Sequence, residues 1–184
     1  TTHRGLICCI GGIEGCGKST AATALEQASE KVRVVYVSKA LVAHCEYLEQ
    51  GPGRNGRATK ELVKGVRDKI ALRDKDIDPQ FLRTAWHRAL TIVIGGEVGD
   101  DEHPELFVLV DGWPRRVWQA DEAPALLGGF FPNHPALMLE VGCEQEEAFR
   151  RAVGRGGDLN SSDNISRSHA EYNELMPKVF ASAD

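Results

Sequence analysis

Gly12, Gly17, Lys18 and Ser19 stand at the fixed positions of the pattern G-x-x-x-x-G-K-S, and each has a use in holding phosphate. Glycines let a backbone wrap around phosphate oxygens and present a row of N–H donors. A helix beginning near Lys18 adds the positive end of its dipole, and the ammonium of Lys18 supplies a movable charge. The Ser19 hydroxyl suits a Mg²⁺ ion that bridges the β- and γ-phosphates. A glycine-rich turn can be mere loop. The setting argues for the phosphate role: an apolar run at residues 6–10 (LICCI) precedes it and the helix-forming residues 18–30 follow. The pattern implies nucleotide-phosphate binding by Gly12, Gly15, Cys16, Gly17, Lys18, Ser19 and Thr20, and leaves open what becomes of the nucleotide.

A second block lies at residues 109–120, LVDGWPRRVWQA. Asp111 ends an apolar run and is placed either to hold Mg²⁺-bound water or to start a turn before Gly112. Pro114 stiffens the loop that delivers Arg115, whose planar fork fits phosphate oxygens. The Gln119 amide can pair with donor and acceptor on a base edge, or simply face solvent from a helix. Further on, Arg150, Arg151 and Arg155 form a helical charge cluster beside a glycine-rich polar stretch at 154–162. They read as a solvated face or as phosphate contacts, the glycine-rich neighbour favouring the second.

The elements that must position these residues follow a βαβ grammar. Residues 31–37 (KVRVVYV) are β-branched and strand-like, as are 106–110 (LFVLV) and 136–141 (ALMLEV). Helices are expected at 18–30, 40–49, within the charged stretch 54–78, at 79–94 with Asp78 as N-cap and Pro79 in the first turn, at 144–153, and from about Asp163 or Asn164. Strands alternating with helices predict an α/β protein with a central parallel sheet, its ligand at the carboxyl ends of the strands.

Bulk composition narrows the classes. The chain has 184 residues, enough for one domain with its own core, and its net charge of −5 does not suggest a nucleic-acid partner. Five cysteines without zinc spacing read as reduced thiols of a cytoplasmic-type compartment. No apolar stretch approaches the ~18 residues that span a bilayer, so no membrane partner is expected.

With both blocks in view, the chain resembles the nucleoside monophosphate kinases, and among them the adenylate kinases, over about residues 5–180. The block from Asp111 to Ala120 is similar to that family's D-G-[FY]-P-R-x-x-x-Q-A, with Trp113 in the aromatic slot. The resemblance implies a P-loop three-layer sandwich with a core at 1–37, 78–150 and 165–184. It adds a helical acceptor-binding arm at about 38–77 and a short lid at about 151–164. It implies a phosphotransferase that moves the γ-phosphoryl of MgATP to AMP. Lys18, Arg115, Arg151, Arg155 and Arg167 would act on the transferring group. Ser19 and Asp111 would hold Mg²⁺, while Ser38, Gly112, Arg115 and Gln119 would bind the acceptor. Asp163 and Asn164 resemble the lid's D-D-N element, and Tyr172 the aromatic that follows. The expected state is a monomer or a domain of a longer chain.

Three departures stand against the family pattern. The acceptor arm reads VSKALVAH at 37–44 and lacks the acceptor-phosphate arginine, leaving Lys39, Arg54 or Arg57 as substitutes. Ser161 occupies a lid arginine's place, the later one being displaced to Arg167. Only twelve residues follow Tyr172, where the family adds a strand and a helix. The loop G-I-E-G-C-G-K-S-T also resembles that of thymidylate kinases, although the D-R-[YFH] tripeptide of those enzymes is absent. Alternatives are therefore a UMP/CMP or thymidylate-type kinase, or a catalytically weak nucleotide-binding domain.

Overall fold

A computed structural model describes residues 5–51, 56–71, 77–95, 106–128, 137–157 and 160–183. The elements run β1 (Gly5–Gly11), α1 (Lys18–Ala28), β2 (Val32–Tyr36), α2 (Val37–Gln50), α3 (Arg57–Ala71) and α4 (Pro79–Gly95). They continue with β3 (Leu106–Asp111), α5 (Val117–Gly128), β4 (Leu137–Glu140), α6 (Gln145–Val153) and α7 (Ser162–Ala183). Each predicted strand and helix is present within a few residues of its expected ends. The fold is α/β with a four-stranded parallel sheet, as expected.

The chain divides into two compact units, residues 1–34 with 99–184 and residues 35–98. In the first, the strand order is β2-β3-β1-β4. The two parallel pairings of β1, with β3 and β4, place Ile10 opposite both Asp111 and Leu139. Ile10 is the last strand residue but one before the glycine-rich loop, so the carboxyl ends of β1 and β3 finish side by side. Alternation along the strands sorts the core. Cys8, Ile10 and Leu109 pack on Ala22 of α1, while Ile7, Cys9, Val108 and Val110, of opposite parity, are also buried. Ala120 of α5 joins Met176 and Val179 of α7 in another cluster, against which Met138 packs. Leu90, Ile165, Val108, Val110 and Val179 are all fully buried; truncating one such aliphatic side chain to alanine costs about 2–4 kcal/mol.

The second unit contains α2, α3 and α4. On α2, Ala40, Leu41, His44 and Cys45 are buried, the i, i+1, i+4, i+5 spacing of one helix face. Asp78 caps α4 as predicted: its carboxylate accepts the Phe81 N–H at 2.9 Å and its carbonyl the Leu82 N–H at 3.0 Å. Phe81, Leu82, Ala85 and Trp86 are buried along that helix. Gly51 ends α2, its N–H returning to the Tyr47 carbonyl at 2.9 Å. All five cysteines carry free thiols.

Candidate phosphate-transfer site

The loop between β1 and α1 is built by glycines. Gly12, Gly15 and Gly17 have φ of 148°, 92° and 99°, the left-handed side of the map, which residues with a Cβ rarely adopt. At Gly15 space is also decisive, because a Cβ there would stand 2.0 Å from the carbonyl oxygen of Ala148 on α6. The loop thus lies directly against α6. Gly17 forms the N-cap of α1 and its carbonyl accepts the Ala21 N–H at 2.9 Å.

The carbonyls of the loop have donors. Lys18 Nζ donates to Gly12 at 2.7 Å and to Ile13 at 3.0 Å, and the Cys16 N–H also donates to Ile13, at 3.2 Å. The Glu14 carbonyl accepts from His169 Nε2 at 2.7 Å. A loop whose carbonyls are held in this way offers an incoming anion its N–H groups and the Lys18 charge. Burial pushes the Lys18 ammonium below the ordinary lysine pKa, and the Arg115 charge adds to the push, against the opposing pull of Cys16, Asp111 and Glu14. An anion beside Lys18 would reverse that shift, which is a driving force for binding one.

Across the strand ends, Ser19 in the first turn of α1 donates a short hydrogen bond to Asp111 Oδ2 at the end of β3. These side chains are 92 positions apart and meet because β1 and β3 pair in register. Asp111 is buried, Ser19 exposed. The two hard oxygen donors fit Mg²⁺. Among the described residues no three His, Cys, Asp or Glu side chains converge on an ion, so such a cation would need phosphate or water oxygens to complete its shell. Thr20 is exposed in the same turn.

After Asp111 the chain turns at Gly112, where φ is 95° and a Cβ would come within 3.0 Å of Arg115 Nη2. The Arg115 guanidinium therefore folds back over Gly112, close enough for its charge to act on Lys18. Trp113 and Pro114 are buried. Gln119 is buried, not solvent-facing: it is 4% exposed, and its Oε1 accepts the Arg115 backbone N–H at 2.5 Å. The amide that the sequence assigns to a base edge thus spends its carbonyl on the loop that carries Arg115.

The remaining candidates have local partners or stand exposed. Arg151 on α6 is bonded to Glu147 at 2.6 Å, and Glu147 also holds Arg150; hydrogen bonds from Arg150 and Arg151 depress its carboxyl to about pKa 2. Arg155 is exposed in the turn after α6. Arg167, exposed on α7, donates to Asn164 Oδ1 at 2.7 Å. Ser161, at the place of a lid arginine, accepts the Asn164 N–H at 3.4 Å and caps α7. Ser38 is exposed in the first turn of α2, in the second unit, and Lys39 lies 4.2 Å above the Tyr36 ring. Arg54 is outside the described residues; Arg57 opens α3. Sequence reasoning missed His169, which follows Arg167 by two positions and reaches the loop across 155 residues.

No family model matches this chain, and no curated protein matches it. Among solved structures, a chain of the Pnkp1/Rnl/Hen1 RNA repair complex aligns with a TM-score of 0.56 at 12% identity, over 97% of this chain and 47% of that one. TT1252 from Thermus thermophilus aligns with a TM-score of 0.55 at 20% identity, over 95% of this chain and 82% of that one. The likeness is one of fold, an α/β sandwich with a central parallel sheet. The chain spans about half the length of the RNA repair chain it matches. No helix among the described residues is long and apolar enough to cross a membrane.

Proposed function

We propose that this protein is a phosphotransferase of the adenylate kinase type, moving the γ-phosphoryl of MgATP to AMP. The observation that carries the reading is the meeting of Ser19 and Asp111 beside Lys18 and Arg115. Two oxygen donors for a cation and two cations for phosphate stand together at the strand ends, where a triphosphate is held in a P-loop kinase fold.

Each residue then has a task. Lys18 exchanges its carbonyl partners for β/γ-phosphate oxygens, and the N–H groups of the loop and of the α1 first turn hold the same oxygens. Ser19 and Asp111 would hold Mg²⁺, which when bound would neutralise charge on the phosphates. Arg115, steadied by Gln119, reaches between donor and acceptor phosphates. Arg151, Arg155 and Arg167 are the arginines that would close on the transferring group, after Arg151 and Arg167 release Glu147 and Asn164. A phosphate acceptor arrives anionic and needs no general base, whereas a hydroxyl acceptor does. Asp111 is already hydrogen-bonded to Ser19, which favours a phosphate acceptor. AMP is the acceptor in this reading because Gln119 stands at the adenylate kinase spacing from Arg115, with its amide nitrogen not used in the bond to the loop.

A transfer assay with labelled MgATP against AMP, UMP, CMP, dTMP and a 5′-hydroxyl RNA tests it; the RNA is included because of the likeness to a component of an RNA repair complex. AMP should be phosphorylated with a kcat/KM at least tenfold above the others, a difference of about 1.4 kcal/mol. Equal or better use of another acceptor overturns the adenylate assignment, and transfer to RNA alone overturns the class of acceptor.

A further inference from the structure

A four-residue stretch of α7 is bonded to the loops after β1 and β3 and to the last residue of β4. His169 Nε2 reaches the Glu14 carbonyl in the loop after β1 at 2.7 Å. Glu171 accepts from Arg116, the neighbour of Arg115 in the loop after β3, at 2.6 Å. The Tyr172 hydroxyl donates to Glu140, the last residue of β4, at 2.8 Å. His169 is only 2% exposed and its ring packs edge-on to Phe149 of α6 at 6.1 Å. Since a carbonyl can only accept, the Nε2 of His169 carries the proton in this contact. Tyr172 packs against a buried cluster made of Ile13 and Cys16 from the phosphate loop and Ala148 from α6.

We propose that residues 169–172 of α7 form a clamp that sets the phosphate loop in register with the Asp111–Arg116 loop and the end of β4, with His169 the positioning residue for the phosphate loop. The proposal rests on the kinase reading for its consequence in catalysis, although the clamp itself is a property of the ligand-free chain. A loop with three positive-φ glycines has few conformational constraints of its own, so the direction of its N–H groups depends on what holds its carbonyls. Lys18 holds Gly12 and Ile13 but must let go to meet a phosphate, whereas His169 holds Glu14 without being needed elsewhere. His169 is thus the anchor that persists through the exchange.

Two readouts test this in the intact chain. Amide hydrogen exchange without nucleotide should be at least fivefold faster at residues 14–18 in His169→Leu than in the wild type, with exchange in α5 unchanged. His169→Gln, whose amide nitrogen replaces Nε2 as donor, should restore most of the protection. In steady-state transfer, His169→Leu should raise KM for MgATP at least fivefold and lower kcat less, again with rescue by Gln. If His169→Leu does not fold, Tyr172→Phe keeps the ring and removes the bond to Glu140, and should speed exchange at residues 13–18 at least twofold. Loop exchange unchanged in the variant that folds overturns the clamp, even if the wild type turns over normally. Faster exchange at the loop in a wild type background that takes no MgATP sustains the clamp and removes the kinase reading.

Discussion

Gln119 shows how a single buried amide serves a loop. Its Oε1 takes the backbone N–H of Arg115, so the side chain fixes the loop before any acceptor base is present. Removing a buried partner leaves the other group unsatisfied, at a cost of about 1–3 kcal/mol. Gln119→Ala should therefore lower unfolding stability by that amount in urea titrations and raise KM for AMP in parallel, because Arg115 loses its support. A stability within about 0.5 kcal/mol of wild type would show that the loop holds itself, since neutral changes fall in that range. Ser161 carries a related lesson. As the cap of α7 it is worth about 1 kcal/mol, so an arginine installed there to restore the resembled lid would also uncap a helix. At this scale the convergence of Lys18, Ser19 and Asp111 was legible, because the type and spacing of each suits phosphate or metal. The inward turn of Gln119 and the local partners of Arg151 and Arg167 were not, because a helical spacing says which residues share a face and not whether that face is covered.

The helices are where local pattern spoke most clearly, and α2 shows what pattern leaves out. Its buried face includes His44, which stacks near Tyr47, meets Phe81 edge-on at 5.0 Å, and has its Nδ1 buried without a hydrogen-bond partner among the described residues. Burial lowers its pKa below the ordinary histidine value, and the nearby Arg88 charge pushes the same way. A histidine whose folded pKa is depressed is stabilising while neutral. Its contribution is complete above the unfolded value, about 6.5, and declines as the pH falls from there toward the lower folded value. Unfolding midpoints should thus fall between pH 7 and pH 5, and the fall should be smaller in His44→Phe, which has no proton to gain. An identical decline in both proteins would assign the acid sensitivity to other groups. Asp78 and Pro79 announced the start of α4 because capping is local chemistry. The contact of His169 with Glu14 had no such signal, since a bond across 155 positions depends on how α7 crosses the sheet ends.

On the scale of the whole molecule, the alternation of strands and helices specified a parallel α/β sheet, and the neighbouring positions of β1 and β3 supply what the alternation could not. The order β2-β3-β1-β4 brings Asp111 to the phosphate loop, and a different order would have left the same two motifs apart. Strand order is set by which apolar faces pack best over long sequence separations, and runs such as LICCI and LFVLV are too alike to encode it individually. On the proposed reading the first unit is a nucleotide-phosphate site, with Lys18 its movable charge. Isothermal titration of MgATP into the wild type and Lys18→Ala tests that claim most directly. Saturable binding by the wild type, weakened at least tenfold in Lys18→Ala, or about 1.4 kcal/mol, is the predicted result. Equal affinity in the two proteins, or no binding by the wild type at millimolar nucleotide, would contradict it.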